Sequence, residues 1–347
     1  MERLLGTLKE NHELWDLFTR KEEYSPTFLD GHGRFPYYMS EHKNIFVPEV
    51  SRFLLENGLR VEYPEGRRFA VCLTHDIDFV YLPRLRIAAN AIRSFSRGNV
   101  IGGFKTLLSN SVKRWNPFWN FHSILALEES YGAKSTFYFL SASERSMDFN
   151  FALADVEGDI RDIVARGWEV GLHGGYHSCF DIHRINEEKS RLEGVAGRDV
   201  VGCRNHYLRF KVPDSWELLS EAGFKYDTTL GYAGCAGFRN GMCHPFKPVN
   251  LNTGKEIDIL EIPLTVMDGT LFESMALDGE RAWEITKLMV DVAEKHKGVV
   301  TVLWHNNYLV GDSLKMYEKL LKYCKEKSAW LTSGEEIYQW WRELGHG

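Results

Sequence analysis

The sequence has no long apolar segment. No run of about 18 apolar residues occurs in its 347 positions, so no part of it is predicted to cross a membrane as a helix. The residues up to Phe18 contain Glu, Lys and Asp throughout, which is not the pattern of a secretory signal peptide. Together these absences predict a cytoplasmic protein.

Closely spaced cysteine pairs are also missing. The six cysteines include no Cys-x-x-Cys pair, the spacing that a zinc ribbon or a redox dithiol requires. Cys72 and Cys203 fall within apolar, strand-like runs, where buried thiols are common. We therefore expect all six cysteines to be reduced and structural.

An overall positive charge is absent too. The net charge is −6, which gives no basic field for nucleic acid, so no nucleic-acid partner is predicted. The segment 84–114 is the exception, because it carries seven Arg or Lys residues and no Asp or Glu. It is interpreted either as a solvated helical insertion or as a surface for an anionic partner, such as a lipid head group or a phosphate-linked sugar carrier.

Short apolar runs alternate with amphipathic stretches from Arg67 onward, and this pattern predicts an α/β fold. The first 66 residues differ, with a helix to about Arg20, an aromatic loop and a helix near 48–57. At least six alternating units favour a closed or nearly closed parallel barrel. The strands are predicted at 69–74, 134–140, 168–172, 200–203, 259–264 and 298–304, and the helices at 155–166, 184–196, 213–222 and 279–297.

Reactive side chains follow several of these predicted strands. In a β/α barrel, residues just beyond the carboxyl ends of the strands meet at one rim and form the active site. Acids, histidines and an arginine delivered by four separate strands are therefore expected to share a site. These residues are Asp76 and Asp78, His173 and His177, Arg204, and His305.

Asp78, His173 and His177 are the predicted metal ligands. One carboxylate and two imidazoles form a site for a divalent ion, with positions left for water and substrate. Gly174 and Gly175 lie between the histidines, so a loop is expected there in place of a helix. A metal at this site would polarise a carbonyl group and lower the pKa of bound water from about 15.7 toward about 7.

The remaining residues of this set could move protons. Asp76, expected on a tight turn after the strand, could accept the proton of the attacking water, with Arg204 holding it ionised. His305, from the far side of the rim, could protonate a leaving amine. The set thus predicts an amide hydrolase.

The same residues resemble the motifs of the polysaccharide deacetylase family, also called carbohydrate esterase family four. THDID at 74–78 resembles the first motif, Thr-Phe-Asp-Asp, which implies Asp76 as the base and Asp78 as a metal ligand. HGGYH at 173–177 resembles the second motif, His-Ser/Thr-x-x-His, whose two histidines bind the metal.

Two further motifs resemble those of the family. RNHY at 204–207 is similar to Arg-x-Pro-Tyr, which implies that Arg204 tethers the base and that the Tyr207 backbone N–H stabilises the oxyanion. LWHN at 303–306 is similar to the fifth motif and implies His305 as general acid. The resemblance covers about 67–310 and implies a distorted (β/α)7 barrel that binds zinc or another divalent ion. The predicted domains are a helical extension at 1–66 and the barrel at 67–347, with the basic insertion at about 84–114.

Four positions depart from the family pattern. Ile77 separates two aspartates that many members have adjacent, so either aspartate could take the metal. His206 replaces the usual Pro of the third motif and could face the substrate cleft, and His75 stands where an aromatic ring is usual. The Asp of the fourth motif, which tunes the catalytic His, has no clear match, and Asp268 is the candidate.

The predicted function is removal of an N-acetyl group from an acetamido sugar or glycan, with a phosphate- or lipid-linked acceptor and peripheral membrane contact through 84–114 as further expectations. Three alternatives remain. One is an allantoinase-like amidohydrolase acting on a non-sugar amide. Another is a catalytically inactive, glycan-binding barrel. The third is an iron(II) oxygenase, which also uses two histidines and a carboxylate but has no use for Asp76 or His305.

Overall fold

A curled, nine-stranded sheet is the centre of the computed structural model, which describes residues 2–142 and 149–345. Every pairing in this sheet is parallel. Its strands are β1 (Ala70–Ile77), β2 (Thr136–Leu140), β3 (Glu169–Gly174), β4 (Gly202–Asn205), β5 (Tyr226–Asp227), β8 (Leu260–Glu261), β9 (Leu264–Met267), β10 (Val299–Leu303) and β11 (Trp330–Thr332). A separate antiparallel hairpin is formed by β6 (Val249–Asn250) and β7 (Lys255–Glu256).

Helices surround the sheet and connect most of its strands. They are α1 (Glu2–Glu10), α2 (His12–Thr19), α3 (Glu49–Glu56), α4 (Arg84–Ser96), α5 (Val100–Leu107), α6 (Phe121–Tyr131), α7 (Leu153–Ala165), α8 (Ile182–Ala196), α9 (Asp214–Glu221), α10 (Gly279–Lys295), α11 (Gly311–Glu326) and α12 (Gly334–Glu343). Within the described ranges, no helix combines the length and apolar character needed to cross a bilayer.

The order of the strands produces the expected distorted (β/α)7 barrel with a helical N-terminal extension. The sheet runs β8-β5-β4-β3-β2-β1-β10-β9, with β11 beside the first half of β1. Its two end strands, β8 and β9, are consecutive in the chain and are joined by Ile262 and Pro263. The single strand predicted at 259–264 is therefore two strands, because Pro263 has no N–H to donate to a continuous ladder.

Strand β1 is longer than the sequence pattern indicated. It continues to Ile77, and all eight of its residues are buried. Asp76 therefore lies within a strand, and the expected tight turn at this position is wrong. Since successive side chains of a strand point to opposite faces, Asp76 and Asp78 share one face and His75 occupies the other. The six cysteines are all free and buried, as the sequence predicted.

The N-terminal extension packs into the same hydrophobic core as the barrel. Leu8, Phe18 and Val50 are buried in one cluster with residues of β1 and β10. A buried ion-pair network joins the two parts: the Glu23 carboxylate accepts hydrogen bonds from Arg20 Nε at 2.7 Å and from Arg239 Nη2 at 2.5 Å. The division at residue 66 stays a prediction.

We expect Glu23→Gln to lower the free energy of unfolding by about 3–5 kcal/mol, because it leaves two buried guanidinium groups without their shared carboxylate. Burial raises the pKa of Glu23, but Arg239 and Arg20 outweigh this and hold it below its ordinary value of 4.5. The contribution of Glu23 is therefore complete above about pH 4.5 and is lost as the pH falls through the folded pKa.

Urea unfolding at neutral and acid pH measures this effect. The difference between wild type and Glu23→Gln should narrow in acid. Glu65→Gln is the matched control, since Glu65 pairs with Arg67 at the surface. Equal stability of the Glu23 and Glu65 variants at neutral pH would contradict the prediction.

Candidate functional site

A pocket of about 340 Å³ opens at the carboxyl ends of the strands. Side chains from β1 and β3 and from the loops after β4, β9 and β10 line it, as expected for a parallel barrel. Its lining includes His32, Arg34, Asp76, Asp78, Phe79, His173, His206, Tyr207, Met267, His305 and Tyr308.

Asp76 and Arg204 form a buried ion pair at the floor of the pocket. Arg204 Nη1 donates to Asp76 Oδ1 at 3.1 Å and to Thr74 Oγ1 at 2.6 Å. Arg204 Nε donates to the Thr228 carbonyl at 3.2 Å, and the guanidinium lies 4.8 Å from the Tyr138 ring centroid. These contacts fix the carboxylate of Asp76 and leave Oδ2 directed toward His173, 3.7 Å from its Nε2.

Asp78, His173 and His206 converge on one point beside this pair. Asp78 Oδ1 lies 3.3 Å from His173 Nε2 and 3.7 Å from His206 Nδ1, and the two imidazole nitrogens are 2.9 Å apart. Their ligand atoms all lie within 4.8 Å of one another. Asp78 Oδ1 is buried and has no hydrogen-bond donor within 2–142 and 149–345. A carboxylate oxygen and two imidazole nitrogens in this arrangement fit a divalent cation.

The hydrogen bonding of His173 supports this fit. Its Nδ1 lies 2.9 Å from the Arg204 carbonyl and therefore carries a proton, so Nε2 is the nitrogen that can present a lone pair to a cation. Burial by itself would raise the pKa of Asp78, but His206, His173 and His305 hold it well below its ordinary value. The carboxylate is therefore ionised at neutral pH, as a metal ligand must be.

His177 lies outside this cluster. It is exposed on the turn after β3, with its ring centroid 5.1 Å from that of Tyr176. The turn is held by Glu188 of α8, whose Oε2 accepts hydrogen bonds from Gly175 N and Ser178 Oγ, each at 2.9 Å. The structure therefore brings together only His173 of the two histidines expected to bind a metal, and His177 as a ligand stays a prediction.

His206 provides the second imidazole beside Asp78 and His173, where the sequence analysis expected His177. It follows β4 directly, at the start of a short turn in which Tyr207 and Leu208 have positive φ values of 59° and 53°. This backbone places His206 and Tyr207 in the pocket lining. In the sequence, His206 stood out because it replaces the usual Pro of the third motif. That substitution indicated a side chain in the substrate cleft, but not its contact with Asp78 and His173.

On the opposite side of the pocket, the half-buried His305 pairs with the buried Asp268. Asp268 Oδ1 lies 2.6 Å from His305 Nδ1, and Oδ2 accepts the His305 backbone N–H at 2.7 Å. His305 Nε2 lies 3.6 Å from Asp78 Oδ2. Burial lowers the pKa of His305, but the carboxylates of Asp268, Asp78 and Asp76 raise it to about 10. The imidazole is thus protonated at neutral pH before any cation is bound.

His75 faces away from the pocket. Its Nδ1 lies 2.7 Å from the Trp304 carbonyl and its Nε2 lies 2.8 Å from Glu128 Oε1. Tyr317 also donates to that Glu128 oxygen, at 2.7 Å. His75 therefore belongs to a buried hydrogen-bond network between the sheet and its helices, which explains the departure from the usual aromatic ring.

A loop of the N-terminal extension completes the pocket, which the sequence analysis did not predict. The His32 ring stacks on Tyr207, with centroids 4.4 Å apart. Arg34 Nη1 donates to the Tyr207 carbonyl at 2.7 Å, while its Nε pairs with Asp30 at 2.8 Å. The extension therefore holds the turn that carries His206. Asp30, Gly31 and Gly33 are typical turn residues, so a turn could be predicted here. The contact of this turn with Tyr207 could not be predicted from them.

Comparisons with known proteins place the fold. No family model and no curated protein matches this chain. A Mycobacterium smegmatis structure named as a polysaccharide deacetylase is 18% identical, with 83% of this chain and 94% of that chain covered and a TM-score of 0.56. Puue allantoinase is 17% identical, with coverages of 93% and 99% and a TM-score of 0.58. A Pseudomonas aeruginosa PAO1 structure named as a polysaccharide deacetylase is 16% identical, with coverages of 92% and 98% and a TM-score of 0.55.

These similarities concern architecture. At such identities they show that the chain has the fold of the polysaccharide deacetylases, which agrees with the resemblance of its motifs. The reaction depends on the residues in the pocket, since one fold serves many functions.

We expect Asp268→Asn to lower the pKa of His305 from about 10 toward its ordinary value of 6.5 in the metal-free protein. The amide carries no charge, while burial continues to disfavour the imidazolium. Titration of the His305 ring by NMR measures this change. Asp278→Asn, at the amino end of α10, is the control and should leave His305 unchanged. An unaltered pKa in Asp268→Asn would contradict the assigned role of the pair.

Proposed function

We propose that this protein is a metal-dependent hydrolase that removes an N-acetyl group from an acetamido sugar or glycan and releases acetate. The observation that carries the proposal is the position of Asp78 between two sets of groups. Its Oδ1 faces two imidazoles suited to a cation, and its Oδ2 faces the protonated His305. The names of two solved structures with this fold add support for a deacetylase.

The proposed metal ligands are Asp78, His173 and His206, with zinc as the first choice of metal. Nitrogen and carboxylate ligands in a set of three suit a catalytic zinc, which keeps a further position for water or substrate. When bound, the ion would polarise the acetamide carbonyl and acidify a water molecule. The buried Asp78 Oδ1 and the lone pair of His173 Nε2 support this ligand set.

Asp76 is the proposed general base. Arg204 holds its Oδ1 by a hydrogen bond, so Oδ2 is left to accept the proton of the attacking water. The water oxygen forms the new bond to the acetyl carbon. The ion pair of Asp76 with Arg204 and the separate contacts of Asp78 with imidazoles support giving the role of base to Asp76 and that of ligand to Asp78.

His305 is the proposed general acid. Asp268 binds its Nδ1–H, which directs the protonated Nε2 into the pocket. Proton transfer from Nε2 to the departing nitrogen allows the C–N bond to break and yields acetate and a free amine. The Tyr207 backbone N–H is proposed to donate to the developing oxyanion, since Tyr207 lines the pocket beside His206.

The substrate is proposed to be a glycan, with a phosphate- or lipid-linked carrier as its natural support. The pocket volume of about 340 Å³ lies at the lower end of the range of small-molecule sites, which suits one acetamido residue at a time. Phe79, Tyr207, Met267 and Tyr308 give the pocket apolar surfaces against which a sugar ring can pack.

Purified protein should contain about one divalent metal per chain, and His173→Ala and His206→Ala should each lose it. His177→Ala should keep it, because His177 lies on the exposed turn. Elemental analysis after dialysis measures the content. Metal at 100 times its Kd should stabilise the fold by about 2.7 kcal/mol, or about 4 °C in the unfolding midpoint.

His177→Ala is the matched control for the ligand set. If it loses the metal while His206→Ala retains it, the ligands are those that the sequence motif indicated. If chelation unfolds the protein, the metal is structural and the proposed catalytic role fails.

Asp76→Asn and His305→Ala should each lower kcat for acetate release by about 10²–10⁴-fold while the metal content stays near that of wild type. His122→Ala, at an exposed position, is the control for loss of a histidine. The assay is acetate release from a panel of N-acetyl sugars and non-sugar amides.

The panel also distinguishes the alternatives. Cleavage of a non-sugar amide with no acetate from any sugar would favour the allantoinase-like function. Glycan binding with no turnover on any substrate would indicate an inactive barrel and refute the proposed hydrolase.

A further inference from the structure

Helices α4 and α5 form a hairpin within residues 84–114, called here the basic hairpin. Gly98, with φ 73°, closes the connection between the helices, and Asn99 Oδ1 caps α5 by accepting the Gly102 N–H at 2.8 Å. The Phe95 and Phe104 rings meet edge to face, with centroids 5.6 Å apart. A Cβ at Gly103 would overlap the Phe95 ring, so glycine is what allows the two helices to approach. Specific contacts between the two helices therefore define the structure of the basic hairpin.

The outer surface of the basic hairpin is strongly apolar. The described chain has 14 exposed large hydrophobic residues, and eight of them lie within 85–108. Leu85 is 87% exposed and Ile101 is 71% exposed. Leu85 and Ile92 are seven positions apart on α4 and therefore share one face. A concentration of this kind marks a surface that another phase or molecule covers.

The same surface is positively charged. Lys113 turns back to the barrel and pairs with Asp159 at 3.1 Å. The Arg86 guanidinium stacks over Phe118, 5.0 Å from the ring centroid. The remaining basic residues form no ion pair with any residue in the described ranges; they are Arg84, Arg93, Arg97, Lys105 and Arg114. In a chain of net charge −6, this leaves an uncompensated basic surface.

The base of the hairpin adjoins the pocket. The chain passes from Asp78 to the start of α4 at Arg84 within six residues. Asn306, which follows His305, donates from its side chain to the Phe79 carbonyl at 2.7 Å and the Phe118 carbonyl at 2.8 Å. A surface or molecule that contacts the basic hairpin therefore lies close to the rim of the pocket.

We propose that the basic hairpin docks the protein on an anionic lipid bilayer, with its exposed apolar side chains in the interface and its free Arg and Lys residues at the head groups. Apolar residues beside cationic ones are the pattern of an interfacial membrane element. A second copy of the chain fits less well, because a symmetric contact would place one basic surface against the other. Delivery of a membrane-held glycan to the pocket rests on the proposed function, whereas docking itself does not.

Co-sedimentation of the full chain with phosphatidylcholine vesicles, with and without phosphatidylglycerol, tests the proposal. Binding should require the anionic lipid and weaken as the salt concentration rises. Arg93→Ser/Arg97→Ser/Lys105→Ser should lower vesicle partitioning by more than tenfold, since each basic residue near an anionic surface contributes about fivefold. Leu85→Ser/Ile101→Ser should also weaken binding, by removing the inserted apolar area.

Matched controls carry equivalent changes elsewhere. Lys225→Ser/Lys255→Ser/Lys322→Ser removes the same charge from other exposed positions, and Leu288→Ser removes an exposed apolar side chain from α10. Both controls should bind as wild type does. The unfolding midpoint of each variant verifies that it is folded.

Equal binding to neutral and anionic vesicles, or loss of binding only in the control variants, would overturn the proposal. So would concentration-dependent dimerisation in sedimentation velocity that Leu85→Ser/Ile101→Ser abolishes, because a second copy would then cover the surface. Acetate release from a soluble sugar should be unchanged in the hairpin variants. Vesicle binding without acetate release from any substrate would reject the proposed function and leave the docking intact.

Discussion

The Arg204 guanidinium lies in the centre of the barrel and binds groups from several strands at once. Its Nη1 contacts Thr74 and Asp76 of β1, and its Nε contacts the Thr228 carbonyl beyond β5. The backbone carbonyl of the same residue accepts the Nδ1–H of His173. A buried cation of this kind is stable only when its partners stay in place, because an unpaired charge in the interior costs several kcal/mol. The position of Asp76, the proposed base, and the orientation of His173, a proposed metal ligand, therefore both depend on Arg204.

The sequence predicted those parts of the fold that local patterns determine. β1, β3, β4 and β10 were found because buried parallel strands are continuous apolar runs. Their polar residues were found because each lies near or just beyond the carboxyl end of a strand. The pattern did not separate β8 from β9, because the residues 259–264 form one mostly apolar run and the break at Pro263 was not recognised. It also placed Asp76 on a turn, because the length of a strand depends on pairing partners that lie far away in the chain.

The site itself was predictable to the extent that its residues belong to strands. Asp76 pairs with Arg204, and His305 pairs with Asp268, as the motifs implied, while the catalytic roles of these residues stay predictions. The choice between His177 and His206 depends on how two loops turn, and those turns are set by Glu188 and by Arg34. Glu188 accepts the Gly175 backbone N–H, and Arg34 donates to the Tyr207 carbonyl. The spacing of residues in the sequence does not reveal such contacts. The entry of His32 into the pocket was invisible for the same reason.

The N-terminal loop that lines the pocket has a consequence for biosynthesis. His32 leaves the ribosome some 270 residues before His305, and β1 must wait about as long for β10, its neighbour in the sheet. At about 5–20 residues per second, that interval is roughly 15–50 s. During this time the apolar faces of α2 and α3, which pack on the barrel in the folded protein, have no complete barrel to cover them. The complete pocket lining can therefore assemble only after both His32 and His305 have been synthesised.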